Sequence, residues 1–189
     1  MSIIVALFMG LTVSAEEIIK DRKILKREAF LNLSRFSYLL SKVCILFTIS
    51  AIQTLTFVLI GNWILEVDNM NMSYWLVLFS VSCCANMIGL NISSSFNSAV
   101  TIYILIPILL IPQMILSGAI FSFDKLNQWV GKRDKVPVIA DMMTSRWAFE
   151  ALMVDQFKNN VFEKYIYDLE KAESQTDFKQ VYLVPELKD

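Results

Sequence analysis

The sequence has no histidine and only three cysteines, five glycines and four prolines in 189 residues. Without histidine there is no imidazole for acid–base catalysis and no histidine metal ligand. Three cysteines are too few for a disulfide scaffold. With Lys+Arg 17 against Asp+Glu 18, the net charge of -1 excludes the basic surface that a nucleic-acid partner requires. The glycines (Gly10, Gly61, Gly89, Gly118, Gly131) never fall into the phosphate-loop pattern that ends in Lys-Ser/Thr, so the chain does not cradle ATP by that device. Charge of either sign is missing from Met1 to Ala15, from Val43 to Leu65 and from Asn69 to Phe123.

What is present is apolar surface in long runs. Hydrophobic residues make up 56% of the chain, above the ~45–50% usual in globular domains. About 20 apolar residues cross a bilayer core of ~30 Å, so the runs predict an all-α, polytopic membrane helical bundle. Met1 to Val13 reads as the end of a span that begins before this chain, or alternatively as a short N-terminal anchor; it lacks the basic start and cleavage site of a signal peptide. Full crossings are expected over 43–61, 74–91 and 99–121. A polar turn of Asn91, Ser93, Ser94, Ser95, Asn97 and Ser98 separates the last two.

Orientation follows from positive charge. Between the first two runs lie Lys20, Arg22, Lys23, Lys26, Arg27, Arg35 and Lys42, whereas the loop at Glu66 and Asp68 has no basic residue. Positive-inside places 14–42 in the cytoplasm and, by parity, 123–189 outside. The spans hold no Asp, Glu, Lys or Arg, which argues against an ion-coupled transporter. Gln53, Thr54, Ser80, Ser82, Asn86 and Gln113 are read mainly as helix–helix hydrogen-bonding groups. Cys44, Cys83 and Cys84 are read as packing residues.

Ser14-Ala15-Glu16-Glu17 fits a capping box, with the Ser14 hydroxyl accepting from the Glu17 amide at the start of a charged helix. Glu16 and Lys20 form an oriented i,i+4 pair, and Ile18, Leu25 and Ala29 share one narrow face. Asn32-Leu33-Ser34 interrupts the pattern, and 34–42 re-enters helix toward the next span. A solvated helix whose cations merely hold topology and touch anionic lipid fits this pattern as well as a docking element does.

The stretch Ser14 to Glu17, then Asp21-Arg22-Lys23-Ile24-Leu25-Lys26-Arg27-Glu28, then Ser37 to Lys42, resembles the loop after the second span of the G-subfamily (White-like) ATP-binding cassette exporters, with a type-2 exporter permease. Ile111 to Gly118 followed by Ala119-Ile120-Phe121 resembles the end of their fifth span. Thr144-Ser145-Arg146-Trp147-Ala148-Phe149-Glu150-Ala151-Leu152, continuing to Asp155-Gln156-Phe157, is similar to their external segment before the sixth span. The resemblance implies that 1–122 is permease and 123–189 an external helical loop, without the first and sixth spans and the ATP-binding domain. The stretch after Gln128 makes that loop longer than the family pattern.

By the same resemblance, Glu17, Asp21, Arg22, Arg27 and Glu28 couple to an ATP-binding domain that carries ATP and Mg. Pro107, Ile111 and Met114 line a substrate path, and Ala119 and Ile120 form an external gate. The aromatic clamp of multidrug members would fall near Ala6 and Met9, where this chain has none. The implied partners are the nucleotide-binding domain, a second permease copy (identical or not), the lipid bilayer and a hydrophobic substrate; the implied location is the plasma (inner) membrane. Pro107 and Pro112 remove backbone hydrogen bonds, and proline and methionine in a span are commoner as packing and kink residues than as ligand contacts. A different class, a non-transporting membrane scaffold that recruits a cytoplasmic partner, fits the residues too.

Beyond the gate, 124–129 and 136–143 are expected to be short helices, with Ser145 capping a helix from Arg146 to Lys158. Phe162, Tyr165, Ile166 and Leu169 recur at helical spacing and should lie on other protein, either as a lid over the exit or as a plain cap. The polar stretch from Glu173 to Asp189 is expected to be loosely held.

Overall fold

The computed structural model describes residues 1–28, 34–67, 70–96, 98–118, 138–158, 163–179 and 181. Among these there is no strand. The helices are α1 (Ser2–Ala15), α2 (Glu17–Glu28), α3 (Arg35–Leu65), α4 (Asn71–Ser95), α5 (Ala99–Ile115), α6 (Val138–Asp141), α7 (Thr144–Lys158) and α8 (Glu163–Phe178). Three helices are long and apolar enough to cross a membrane: α1 where it runs on into α2, α3, and α4. At 17 residues, α5 spans ~25 Å, short of a full hydrocarbon core. It ends at Ile115 with Leu116 as its C-cap, and three residues past its end Gly118, at φ 76°, takes the left-handed conformation that a residue without Cβ adopts freely. The expected span to 121 is therefore shorter as helix, and its last residues lie outside the described ones.

The longest helix, α3, has 31 residues, or ~46 Å. Its uncharged part begins at Val43, so Arg35–Lys42 forms a stalk beyond the membrane core. Ser34 starts the stalk as a cap that accepts from the Ser37 amide.

The centre of the bundle is α4. It packs along α1 through small residues: a Cβ on Gly10 would stand 2.8 Å from both the Ala85 Cβ and the Ser82 carbonyl oxygen, and one on Gly89 would overlap the Ser14 hydroxyl. Lipid tails are as apolar as leucine, so close backbone approach of this kind is what holds membrane helices together. Around the seam, Ile3, Leu7, Leu11, Leu78, Val81, Ile102 and Ile106 form the main core.

Hydrogen bonds add to it. Asn86 Nδ2 and Ser82 Oγ both donate to Ser50 Oγ, at 2.7 and 3.1 Å, joining α4 to α3. Trp75 Nε1 donates to the Ala51 carbonyl, and Gln53 Nε2 reaches Met9 Sδ on α1. Of the six polar residues expected to bond between helices, Gln53, Ser82, Asn86 and Gln113 do. Thr54 and Ser80 instead bond carbonyls of their own helices. The three cysteines are free thiols.

The polar turn expected from Asn91 onward is helical as far as Ser95. Asn91 Nδ2 donates to the Met87 carbonyl, and the Ser94 and Ser95 hydroxyls donate to the Asn91 carbonyl. These side chains thus satisfy themselves on carbonyls of their own helix, a back-bonding that a helical turn tolerates.

At the tail, helix α8 continues to Phe178, into the stretch expected to be loose. Its Tyr165, Ile166 and Leu169 are exposed, so among the described residues none buries that face; Phe162, expected on it, lies outside them. The expected helix at 124–129 lies outside the described residues, while 136–143 contains α6.

Candidate functional site

The capping box is not formed. Ser14 lies in the α1–α4 seam in helical conformation, and its hydroxyl donates to the Gly10 carbonyl at 2.7 Å. A serine whose backbone is still helical does not take the extended conformation of an N-cap. The unsatisfied amides at the start of α2 find their acceptor elsewhere. Ser93 Oγ, fully buried on α4, accepts from Ile18 N at 3.1 Å and Ile19 N at 3.2 Å.

The exchange is reciprocal. Arg22 of α2 sends Nη2 to the carbonyls of Ser94 and Phe96, at 3.0 and 3.1 Å, where α4 ends. A cation at a helix C-terminus satisfies open carbonyls and opposes the negative end of the macrodipole. Each helix thus caps the other.

On its other side α2 is held by the α3 stalk. Lys42 Nζ lies 2.8 Å from Glu17 Oε2 and 2.7 Å from Asp21 Oδ2. The Tyr38 hydroxyl donates to Asp21 Oδ2 at 2.9 Å. The hydrogen bond from Lys42 holds the Asp21 carboxyl below its usual range, against the opposing effect of burial, with Tyr38 adding to the shift. Burial would lower the Lys42 ammonium, but its bonds to Asp21 and Glu17 raise it above the ordinary lysine value. Burial, together with the bond to Asp21, pushes the Tyr38 hydroxyl up to about 12. Ile18 packs with Leu46 and Leu90, flanked by Leu25 and Val43, so the inner face of α2 fills the wedge between α3 and α4. Ala29, expected on the same face, lies outside the described residues.

The coupling residues expected from sequence therefore separate. Glu17, Asp21 and Arg22 have partners within the chain. Arg27 is exposed, and the side chain of Glu28 lies outside the described ones. The outward face of α2 is Lys20, Lys23, Ile24 and Arg27, an i, i+3, i+4, i+7 stripe, with Lys20 paired to Glu16 at 2.6 Å as expected. Sequence reasoning missed Ser93, Tyr38 and Lys42 as partners of α2. The serine run at 93–95 was the available signal for the cap.

On α5, Pro107, Ile111 and Met114 share a face at i, i+4, i+7. Pro107 and Ile111 are exposed and Met114 is half-buried, while Ile102 and Ile106 opposite are buried against the bundle. The three look away from the core of this chain. The gate residues Ala119 and Ile120 lie outside the described residues.

At the opposite end of the bundle, α7 closes over α1, α4 and α5. Ala148 and Leu152 enter the main core, and the Tyr74 hydroxyl donates to Gln156 Oε1 at 3.2 Å. Ser145 is not a simple cap for α7. Its amide donates to Gln113 Oε1 and its hydroxyl to the Gln113 carbonyl at 2.6 Å, tying α7 to the end of α5. Arg146 pairs with Asp141 and stacks 5.2 Å from the Trp147 ring. Between Ser117-Gly118 and Arg146, Phe149 and Met153 lies a shallow cavity of ≈ 350 Å³.

Helices of membrane-spanning length, a basic helix clamped at one end and a helical cap at the other define an integral membrane domain whose two faces differ in chemistry. The chain belongs to the ABC-2 type transporter family, whose model matches residues 1–157. It is similar to the ABC transporter G family member STR of Petunia hybrida, 28% identical over 155 residues, covering 79% of this chain and 17% of that protein. The chain thus spans about a sixth of that relative's length. No solved structure matches it.

Proposed function

We propose that this chain is the membrane portion of an ATP-driven exporter that moves a hydrophobic or lipid-like substrate across the plasma (inner) membrane. It works as a pair with a second permease copy and is driven by an ATP-binding domain that holds ATP and Mg. The observation that carries this reading is the outward stripe Lys20, Lys23, Ile24 and Arg27, presented by a helix that is bonded on its inner face to two spans. Such a helix transmits a push instead of bending under it. Three cations around one isoleucine suit a carboxylate-lined groove on the motor domain, on the cytoplasmic side.

The exposed α5 face with Pro107, Ile111 and Met114 would line the path between the two copies, and Ala119 and Ile120 would gate its outer end. A lining of isoleucine, proline and methionine selects for apolar cargo.

The test is the full-length protein in proteoliposomes, with a fluorescent phosphatidylcholine as cargo probe. ATP-dependent probe movement is expected, and Lys23→Glu with Arg27→Glu should leave ATP hydrolysis running while transport stops. Recruitment of a cytoplasmic partner with no ATP-dependent movement of lipid or other apolar probes would instead favour a scaffold.

A further inference from the structure

The bonds that hold α2 are of two kinds. Toward α3 they run between side chains only, Lys42 to Glu17 and Asp21 and the Tyr38 hydroxyl to Asp21, with the ion-paired groups a fifth to a third exposed. Toward α4 they engage main-chain atoms: a short, fully buried serine accepts two amides, and one guanidinium donates to two carbonyls. Long ion-paired side chains can rotate while keeping contact, whereas a serine hydroxyl has one bond of freedom. The α4 joint is therefore the stiffer one. Beyond it, α4 is locked to α1 by the Gly10 and Gly89 contacts and bonded to α7 at its far end through Tyr74.

Resting on the function proposed above, we infer that α2 and the inner end of α4 form one rigid body, with Ser93 and Arg22 as its positioning residues. Displacement of α2 enters the bundle through α4, which is not adjacent to it in sequence and is itself packed along α1, the helix that runs on into α2. The next helix in the chain, α3, follows through its more compliant ion pairs.

The experiment uses the full-length transporter with Cys44, Cys83 and Cys84 replaced by alanine and cysteines placed at Ser93 and Ile19, where the serine hydroxyl lies 3.2 Å from the Ile19 amide when the joint is closed. Cross-linking should proceed to the same yield without nucleotide and with ATP plus vanadate, and the oxidised protein should move fluorescent phosphatidylcholine at the same rate as the identical double-cysteine variant kept reduced. A yield that falls in the trapped state, or a cross-link that silences transport while its reduction restores it, would overturn the inference.

Separately, Ser93→Ala and Arg22→Gln should each lower probe moved per ATP hydrolysed by about fivefold, the size of a lost helix cap. The ATP-binding domain should still co-purify, and Arg22→Lys should recover part of the loss. Unchanged stoichiometry in both variants would also overturn it. A wild-type protein with no ATP-dependent transport would sink the function itself, whatever the cross-link shows.

Discussion

α3 and α4 lie side by side, and the more hydrophobic of the two is the less buried. The mean hydropathy of the best window is 2.3 in α3, of which 22% is buried, against 1.7 and 50% in α4. α3 turns Ile45, Ile49, Ile52, Leu59 and Ile60 outward, away from the other helices of this chain. α4 turns Val81, Ser82, Ala85, Asn86, Gly89 and Ser93 inward. In water the order would be reversed, because burial there follows apolarity. In a bilayer the apolar residue gains nothing by leaving lipid, and the interface goes to whichever helix lets backbones approach and offers polar groups to pair.

The comparison breaks most visibly at the glycines. Gly89→Ala should cost about 3 kcal/mol, the upper range for overpacking, because the added Cβ overlaps the Ser14 hydroxyl and has the Ala15 amide 3.2 Å away. Gly61→Ala on α3 meets nothing within 4 Å and should be silent. Unfolding of the two variants in the same detergent gives the contrast directly, and equal losses would refute it.

Next comes the α3–α4 hydrogen-bond node. Ser50→Ala removes the common acceptor of Asn86 and Ser82 and should destabilise by about 1 to 2 kcal/mol. Thr56→Ala, whose hydroxyl bonds only within exposed α3, should do little.

Smaller still is the stalk contact. Lys42→Met should cost roughly 1 kcal/mol, as expected for partly exposed ion pairs, and should loosen α2 in hydrogen exchange without unfolding the bundle.

The least effect is expected from pH near neutrality, and the sign follows from the two shifts. Asp21 is depressed, so its contribution is complete above the unfolded value of ~3.9 and is lost only as pH falls through the lower folded value. Lys42 is raised, so its contribution is complete below ~10.4 and is lost as pH rises through the higher folded value. Melting temperature should therefore show no step from this contact between about pH 5 and 9. A step within that window that disappears in Lys42→Met would contradict the geometry.

Much of the fold was legible because charge segregation in a membrane chain is close to a map. The described parts of the uncharged runs are helices, those of the basic stretch are α2 and the start of α3, and Glu16 found Lys20 four residues on. The candidate site was half legible. Its residues were named correctly as a charged helix, but local pattern assigned Ser14 and Ser145 to caps that neither makes. Both serines are engaged across the bundle, Ser14 as the close contact of Gly89 and Ser145 as the tie to Gln113. Asp21 and Arg22 likewise looked free for a partner because Lys42 and the end of α4 are distant in sequence.

By itself, then, the sequence determined that this protein is helical and membrane-embedded and that its basic segment bounds a span, because burying charge in hydrocarbon is too costly to be undone by packing. Only the tertiary structure decided which span is central, which serine caps α2 and which charges remain to face outward. Those outcomes depend on which small residues meet across helices, and that proximity is set by three-dimensional fit between segments up to 75 residues apart.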